Sequence, residues 1–175
     1  MTAGGVGYTA CRGAFEGNDT GAGNPLLTLL NGGLFAAEAG SGTWTQLGKS
    51  DSGQFKADEG STSGNWSLLT GQKLSGTFVL SLKASTYYSA YLFTNLSDIT
   101  GGFFETIGVS TNKKGMAQGL SHASLFYLEG SAPSVNPNPP TNPQAVPEPM
   151  TLMGTGLAAV FGYRLKRKRD QKDGK

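Results

Sequence analysis

The stretch Thr77-Phe78-Val79-Leu80-Ser81-Leu82-Lys83 decides the fold class. Phe78, Leu80 and Leu82 fall on one face, and Thr77, Ser81 and Lys83 on the other. That period of two marks a half-buried β-strand. Three small residues, Ala84, Ser85 and Thr86, separate it from Tyr87 to Phe93, a second strand-like run close enough to close a hairpin. Shorter candidates surround Trp44, Phe55, Trp66 and Ile107, and Ala123 to Glu129 reads as a last strand. Turns are expected at Gly48, Gly53, Gly60, Gly64, Gly71 and Gly101-Gly102. One helix is expected, with Asn24 as N-cap, Pro25 at its first position and Gly32-Gly33 to stop it. No internal repeat is present. The expectation is a mainly β chain with a β-sandwich or jelly-roll domain and one short helix.

Composition locates the ends of that domain. Seven of the eight prolines lie between Pro133 and Pro149, and such a run favours an extended spacer. Residues 1–132 then form the β-domain and 133–146 a Pro-rich linker. The formal net charge of +2 conceals an asymmetry. Residues 164–175 carry +5, and the preceding 163 residues carry −3. The β-domain is therefore mildly acidic, which argues against a nucleic-acid partner.

After the linker come Pro147-Glu148-Pro149, the apolar stretch Met150 to Tyr163, and the basic group Arg164, Lys166, Arg167, Lys168 and Arg169. The 14 apolar or small residues would rise about 21 Å as a helix, short of a hydrocarbon core of about 30 Å. Adding Pro149 and Leu165, with Arg164 and Lys166 snorkelling, extends the reach to a thin single span. Basic residues on one flank place 164–175 on the cytoplasmic side and 1–149 outside.

These three parts in this order resemble the PEP-CTERM sorting signal of bacterial exported proteins. The resemblance covers residues 147–169 with the valine before them, and it leaves 170–175 as a cytoplasmic tail. It implies export, a transient inner-membrane anchor, and recognition by an exosortase, with Pro147, Glu148 and Pro149 as the recognised element. The basic stop is Arg164, Lys166, Arg167, Lys168 and Arg169. The destination it implies is the periplasm, cell surface or extracellular matrix. Met1 to Ala10 has neither a basic nor an apolar run of the kind an export leader needs, so the expectation is a start internal to a longer reading frame. Two further segments, Ala10 to Asp19 (ACRGAFEGND) and Leu120 to Leu125 (LSHASL), are similar to stretches that recur in cyanobacterial proteins of this type. That similarity brings no known chemistry.

Few residues suggest a reactive centre. Cys11 is the only cysteine and His122 the only histidine. A nucleophilic Cys–His pair is formally open. The plainer reading makes Cys11 a small buried residue and His122 an edge or cap residue at the start of a strand. Single copies exclude a Cys/His zinc site within one chain, and a disulfide partner for Cys11 could lie upstream of Met1. Asp51, Asp58, Glu59, Asp98, Glu105 and Glu129 read as solvated charges, although glycoside hydrolysis would need only two that converge. Asp51-Ser52-Gly53 and Asp58-Glu59-Gly60 could place a carboxylate on Ca²⁺ in a turn, but neither matches an EF-hand loop. The sequons at Asn18, Asn65 and Asn95 read as coincidences of a Ser/Thr-rich chain.

Aromatic residues offer the best binding surface: Trp44, Trp66, Tyr87, Tyr88, Tyr91, Phe103 and Phe104. Trp44, Trp66 and Tyr88 form the candidate saccharide platform, because an aromatic face can stack on the C–H face of a sugar. Tyr88 alternates out of phase with Tyr87 and Tyr91, so burial of both Tyr88 and Tyr91 would remove the platform from that strand. The functional expectation is a non-enzymatic, exported β-domain associated with the envelope or extracellular polysaccharide, with no cofactor. Its alternatives are a carbohydrate-binding or adhesive module and a matrix glycan hydrolase.

Overall fold

The computed structural model describes residues 1–53 and 55–130. The linker 133–146, the sorting signal 147–169 and the tail 170–175 lie outside the described residues. The described part is mainly β, with antiparallel pairing throughout. In chain order the elements are β1 (Thr2–Ala3), β2 (Val6–Gly7), β3 (Ala10–Glu16), α1 (Pro25–Asn31), α2 (Ala36–Ala39) and β4 (Trp44–Lys49). A 3-10 turn at Ser50–Ser52 leads to β5 (Phe55–Ala57), β6 (Ser63–Leu68), β7 (Leu74–Ala84), β8 (Tyr87–Ile99), β9 (Gly101–Glu105) and β10 (Leu120–Leu128). Among the described residues no helix is long and apolar enough to cross a membrane.

Five strands make the main sheet, in the order β3-β8-β7-β10-β4. A smaller sheet has the order β5-β6-β9, and β1 pairs with β2. The expected hairpin is present: Ala84 pairs with Tyr87 across the turn Ser85-Thr86, and Ser85 takes a positive φ of 52°. Strand β7 lies at the centre, and it is not half-buried. Phe78, Leu80, Leu82 and Ala84 enter a core shared with Phe55, Trp66 and Phe104 of the smaller sheet. On the opposite face Val79 joins Leu26, Leu30, Phe35 and Phe126 in a second core. Thr77, Ser81 and Lys83, expected on a solvated face, are all buried there. The reason is the segment carrying α1 and α2, which covers that face.

Helix α1 forms where Pro25 and Gly32 bracket it, but its start differs from the expected cap. Asn24 sits at the N-cap position in a left-handed conformation (φ 41°) and makes no side-chain cap. Its Nδ2 donates instead to Gln46 Oε1 at 2.7 Å, which ties the helix entrance to β4. The short helix α2 was not expected from the sequence. Arg12 lies over the Phe35 ring, 5.2 Å from its centroid, and pairs with Glu38 of α2. These contacts fasten the cover to β3.

Further expectations change: Gly48 lies within β4 and Gly64 within β6 rather than in turns. Ile107 is not in a strand; it lies in the turn region after β9 and is 68% exposed. The strand is Gly101–Glu105, so Gly101-Gly102 is a strand segment rather than a turn. The physical reason is close approach. A Cβ on Gly101 would sit 2.3 Å from the Trp66 carbonyl oxygen, and one on Gly102 2.0 Å from that of Thr2. Trp66 Nε1 also donates to the Thr2 carbonyl at 3.0 Å, so β1 and β6 close on β9 at this point. Gly102→Ala is expected to force these backbones apart and cost about 1–3 kcal/mol or more. Urea unfolding of the variant checks this, and an unchanged midpoint would refute the packing argument.

Candidate functional site

The alternation of β7 and β10 places four polar side chains side by side on the face that α1 covers. Lys83 pairs with His122, and Ser81 with Ser124. Tyr88 stands beside Lys83 on the neighbouring strand β8. From the covering segment, Asp19 descends onto this patch. His122 Nε2 lies 2.8 Å from Asp19 Oδ1. The Asp19 carboxylate is completely buried, and the His122 side chain is nearly so.

Burial by itself would push the Asp19 carboxyl up. The hydrogen bond and charge of His122, with smaller help from the Ser124 and Ser81 hydroxyls, outweigh it and hold the carboxyl below its ordinary value. The two hydroxyls are near enough to favour the anion, yet neither makes a hydrogen bond of normal geometry, and Asp19 Oδ2 is also unpartnered. Burial lowers the Lys83 ammonium, opposed by the charge of Asp19. Burial, then Asp19, raises the Tyr88 phenol. Lys83 Nζ donates to the Ser85 carbonyl. It also lines a shallow cleft with Glu16, Gly17, Asn18, Ser85 and Thr86.

An Asp, a His and two Ser in contact contain the parts of a hydrolytic triad, but their order differs. A nucleophilic serine must bond the imidazole, with the carboxylate on the other ring nitrogen. Here both serines gather at the carboxylate, and both are fully buried, out of reach of a substrate carbonyl. The arrangement is suited to anchoring. It pins the loop ahead of α1 to the central strands by a charge-assisted bond in a site that excludes water.

The other residues singled out in the sequence do not join this cluster. His122 is the third residue of β10 rather than its first; it pairs with Lys83 of β7, and the ladder with β4 begins two residues further on, at Ser124. Cys11 pairs with Tyr91 and packs against the first core, on the opposite face of the sheet from His122. Strands β8 and β7 intervene, so the Cys–His pair does not form. Burial raises the Cys11 thiol, while a bond from Tyr91 and the charge of Arg12 oppose it.

The carboxylates disperse to local partners. Asp51 pairs with Lys49 at 3.0 Å and Asp98 with Lys73 at 3.1 Å. Asp58 accepts from the Asn65 amide at 2.7 Å, Glu59 from Ser50 at 2.6 Å and Glu129 from Thr45 at 2.9 Å. Among the described residues no group of three potential metal ligands comes together.

Trp44, Trp66 and Tyr88 do not make the expected platform. They are 4%, 1% and 3% exposed, respectively. Trp66 is in the first core, and Trp44 and Tyr88 in the second. Tyr91 is buried as well, which removes the platform from that strand. Their rings serve packing because a cover lies over each face of the main sheet. Tyr87 and Phe103 keep substantial exposure.

The Asp19–His122 tie was missed from sequence because 103 positions separate its partners. One signal did point there: Asp19 closes the segment ACRGAFEGND and His122 lies in LSHASL, the two stretches with a resemblance but no assigned chemistry. No protein-family model, curated protein or solved structure matches the chain.

A group whose carboxyl is lowered on folding adds stability above its unfolded value, 3.8 for Asp19, and loses it as pH falls through the lower folded value. Asp19→Asn is expected to cost about 1.5–3 kcal/mol at neutral pH and to flatten the acid limb of stability. Urea midpoints between about pH 3 and pH 7 check this; an acid limb identical to that of the parent would sink it.

Proposed function

We propose that this chain is an exported protein of the PEP-CTERM type, sorted and cut by an exosortase, whose β-domain has a non-enzymatic role at the envelope or in extracellular polysaccharide. The observation that carries this reading is the order Pro147-Glu148-Pro149, apolar Met150 to Tyr163, then Arg164, Lys166, Arg167, Lys168 and Arg169. Two prolines around Glu148 would favour an extended backbone, the form in which proteases take substrates. The apolar part would hold the chain transiently in the inner membrane, and the basic part would stay on its cytoplasmic side. The domain would then be released to the periplasm, cell surface or matrix.

The β-domain suits a non-catalytic role on two grounds. Among the described residues, the two serines beside Asp19 are fully buried, and Asp51, Asp58, Glu59, Asp98 and Glu129 each have a separate local partner. The packing of the smaller sheet on one face of the main sheet favours a sandwich-like classification, with the α1–α2 cover as an addition. A carbohydrate-binding module remains the second reading, favoured by the exposed aromatic Tyr87. Among the described residues the carboxylates singled out for the hydrolase reading have separate local partners or none, which gives that reading no support.

The test is processing. With a secretion leader, in a bacterium that has an exosortase, the chain is expected to lose its C-terminal segment near Pro147–Pro149, as read by intact mass. Alanine at Pro147, Glu148 and Pro149 together is expected to leave it uncut. Loss of the C-terminal segment from both proteins, or from neither, would refute exosortase sorting.

A further inference from the structure

Strand alternation sets Tyr87 on the same face of β8 as Tyr91 and Phe93, the face covered by the smaller sheet. The strands of that sheet are three to six residues long, whereas β8 has 13. The cover therefore ends before Tyr87 and leaves its side chain 38% exposed. What faces it is a cleft of about 380 Å³, lined by Ala14, Tyr87, Gly108, Val109, Ser110 and Thr111.

The wall opposite Tyr87 is built in advance. Thr106 is fully buried, with its Oγ1 2.7 Å from the Gln118 carbonyl and 3.1 Å from that of Thr62. The Val109 amide donates to the Thr106 carbonyl at 2.9 Å, and the Val109 side chain is sunk in the first core. The Gln118 amide donates to the Ser110 carbonyl at 3.0 Å, and Thr111 bridges to Ala117. These bonds fix the loop before any ligand arrives, so binding would cost little ordering of the wall.

The lining chemistry selects the ligand class. Among the described residues no charged side chain lines the cleft, which disfavours ionic ligands. One aromatic ring, one deep apolar residue and two hydroxyls remain, a combination that matches a pyranose with its apolar C–H face and its rim of hydroxyls. The volume is at the small end of small-molecule sites, about 300–1,000 Å³, which suits one or two sugar rings. We infer that the Tyr87 cleft is a subsite for a neutral saccharide, with Tyr87 as the stacking residue and Ser110 and Thr111 as hydrogen-bonding residues. This rests on the polysaccharide-associated reading of the domain and gives it a site. The platform moves by one residue, from Tyr88 to Tyr87, and from a flat sheet face to a cleft.

The purified full-length chain is titrated with cellohexaose, laminarihexaose, maltohexaose and mannohexaose, and with the parent polymer of any that bind, using saturation transfer from protein to sugar. At least one neutral hexaose is expected to bind, with Kd in the millimolar range or tighter. Binding of the hexaose itself assigns the site to a short glycan segment, and polymer binding without it overturns the subsite. Tyr87→Ala is expected to weaken binding about tenfold, whereas Tyr87→Phe retains the ring and stays within about twofold. Thr111→Lys, on an exposed cleft residue, is expected to weaken binding without touching either core. Circular dichroism controls for folding. No binding by any hexaose, an unchanged Kd in Tyr87→Ala and Thr111→Lys, or displacement of the sugar by a peptide of residues 133–146 each overturns the inference. Loss of the saccharide signal with C-terminal processing intact would defeat the cleft alone. Saccharide binding without any processing would defeat the sorting reading and leave the cleft standing.

Discussion

Strand β7 supplies side chains to two cores at once, and the rest of the domain is arranged around that burden. Phe78, Leu80 and Leu82 must be covered on one face, and Val79 on the other. A strand with apolar residues on both faces is stable only inside three layers. The smaller sheet supplies one cover through Phe55, Trp66 and Phe104. The helical segment supplies the other through Leu26, Leu30 and Phe35. Each fully buried aromatic or leucine contributes about 1.5–3 kcal/mol in transfer terms, so neither cover can leave without exposing the central strands.

Covering the second face has a consequence for Ser81, Lys83, His122 and Ser124. These residues would be unremarkable on a solvated face. Under α1 they are removed from water, and a buried polar group without a partner costs free energy. Asp19 offsets much of this by bonding His122 and by setting a negative charge beside Lys83. The tie is therefore a product of the cover, and it also holds the cover in place. The same geometry leaves both serines without a hydrogen bond to the imidazole and out of solvent, so residue types found in hydrolytic triads are present without the triad's order.

Local features were legible in the sequence. The period of two in Thr77 to Lys83, the small residues before Tyr87 and the Pro25–Gly32 bracket each act over a few residues, and each corresponds to an observed element. Non-local features were not. The exposure of Trp44, Trp66 and Tyr88 depends on what lies above the sheet, and no pattern within a strand reports that. Gly101-Gly102 looks like a turn in sequence, yet it serves the close approach of Thr2 and Trp66, residues far from it along the chain. His122 looked terminal because the apolar pattern of its strand starts at Ala123, whereas pairing extends β10 back to Leu120.

The sequence by itself determined the β class, the central hairpin, the first helix and the three-part order of the C-terminal segment. All of these are encoded by backbone preference and short-range periodicity, which act without knowledge of neighbours. Only the tertiary structure decided which face of each strand meets water. It thereby brought Asp19 to His122 across 103 positions, buried the three aromatics and left Tyr87 facing a cleft. Burial is a property of layers, and a layer exists only after distant segments have packed.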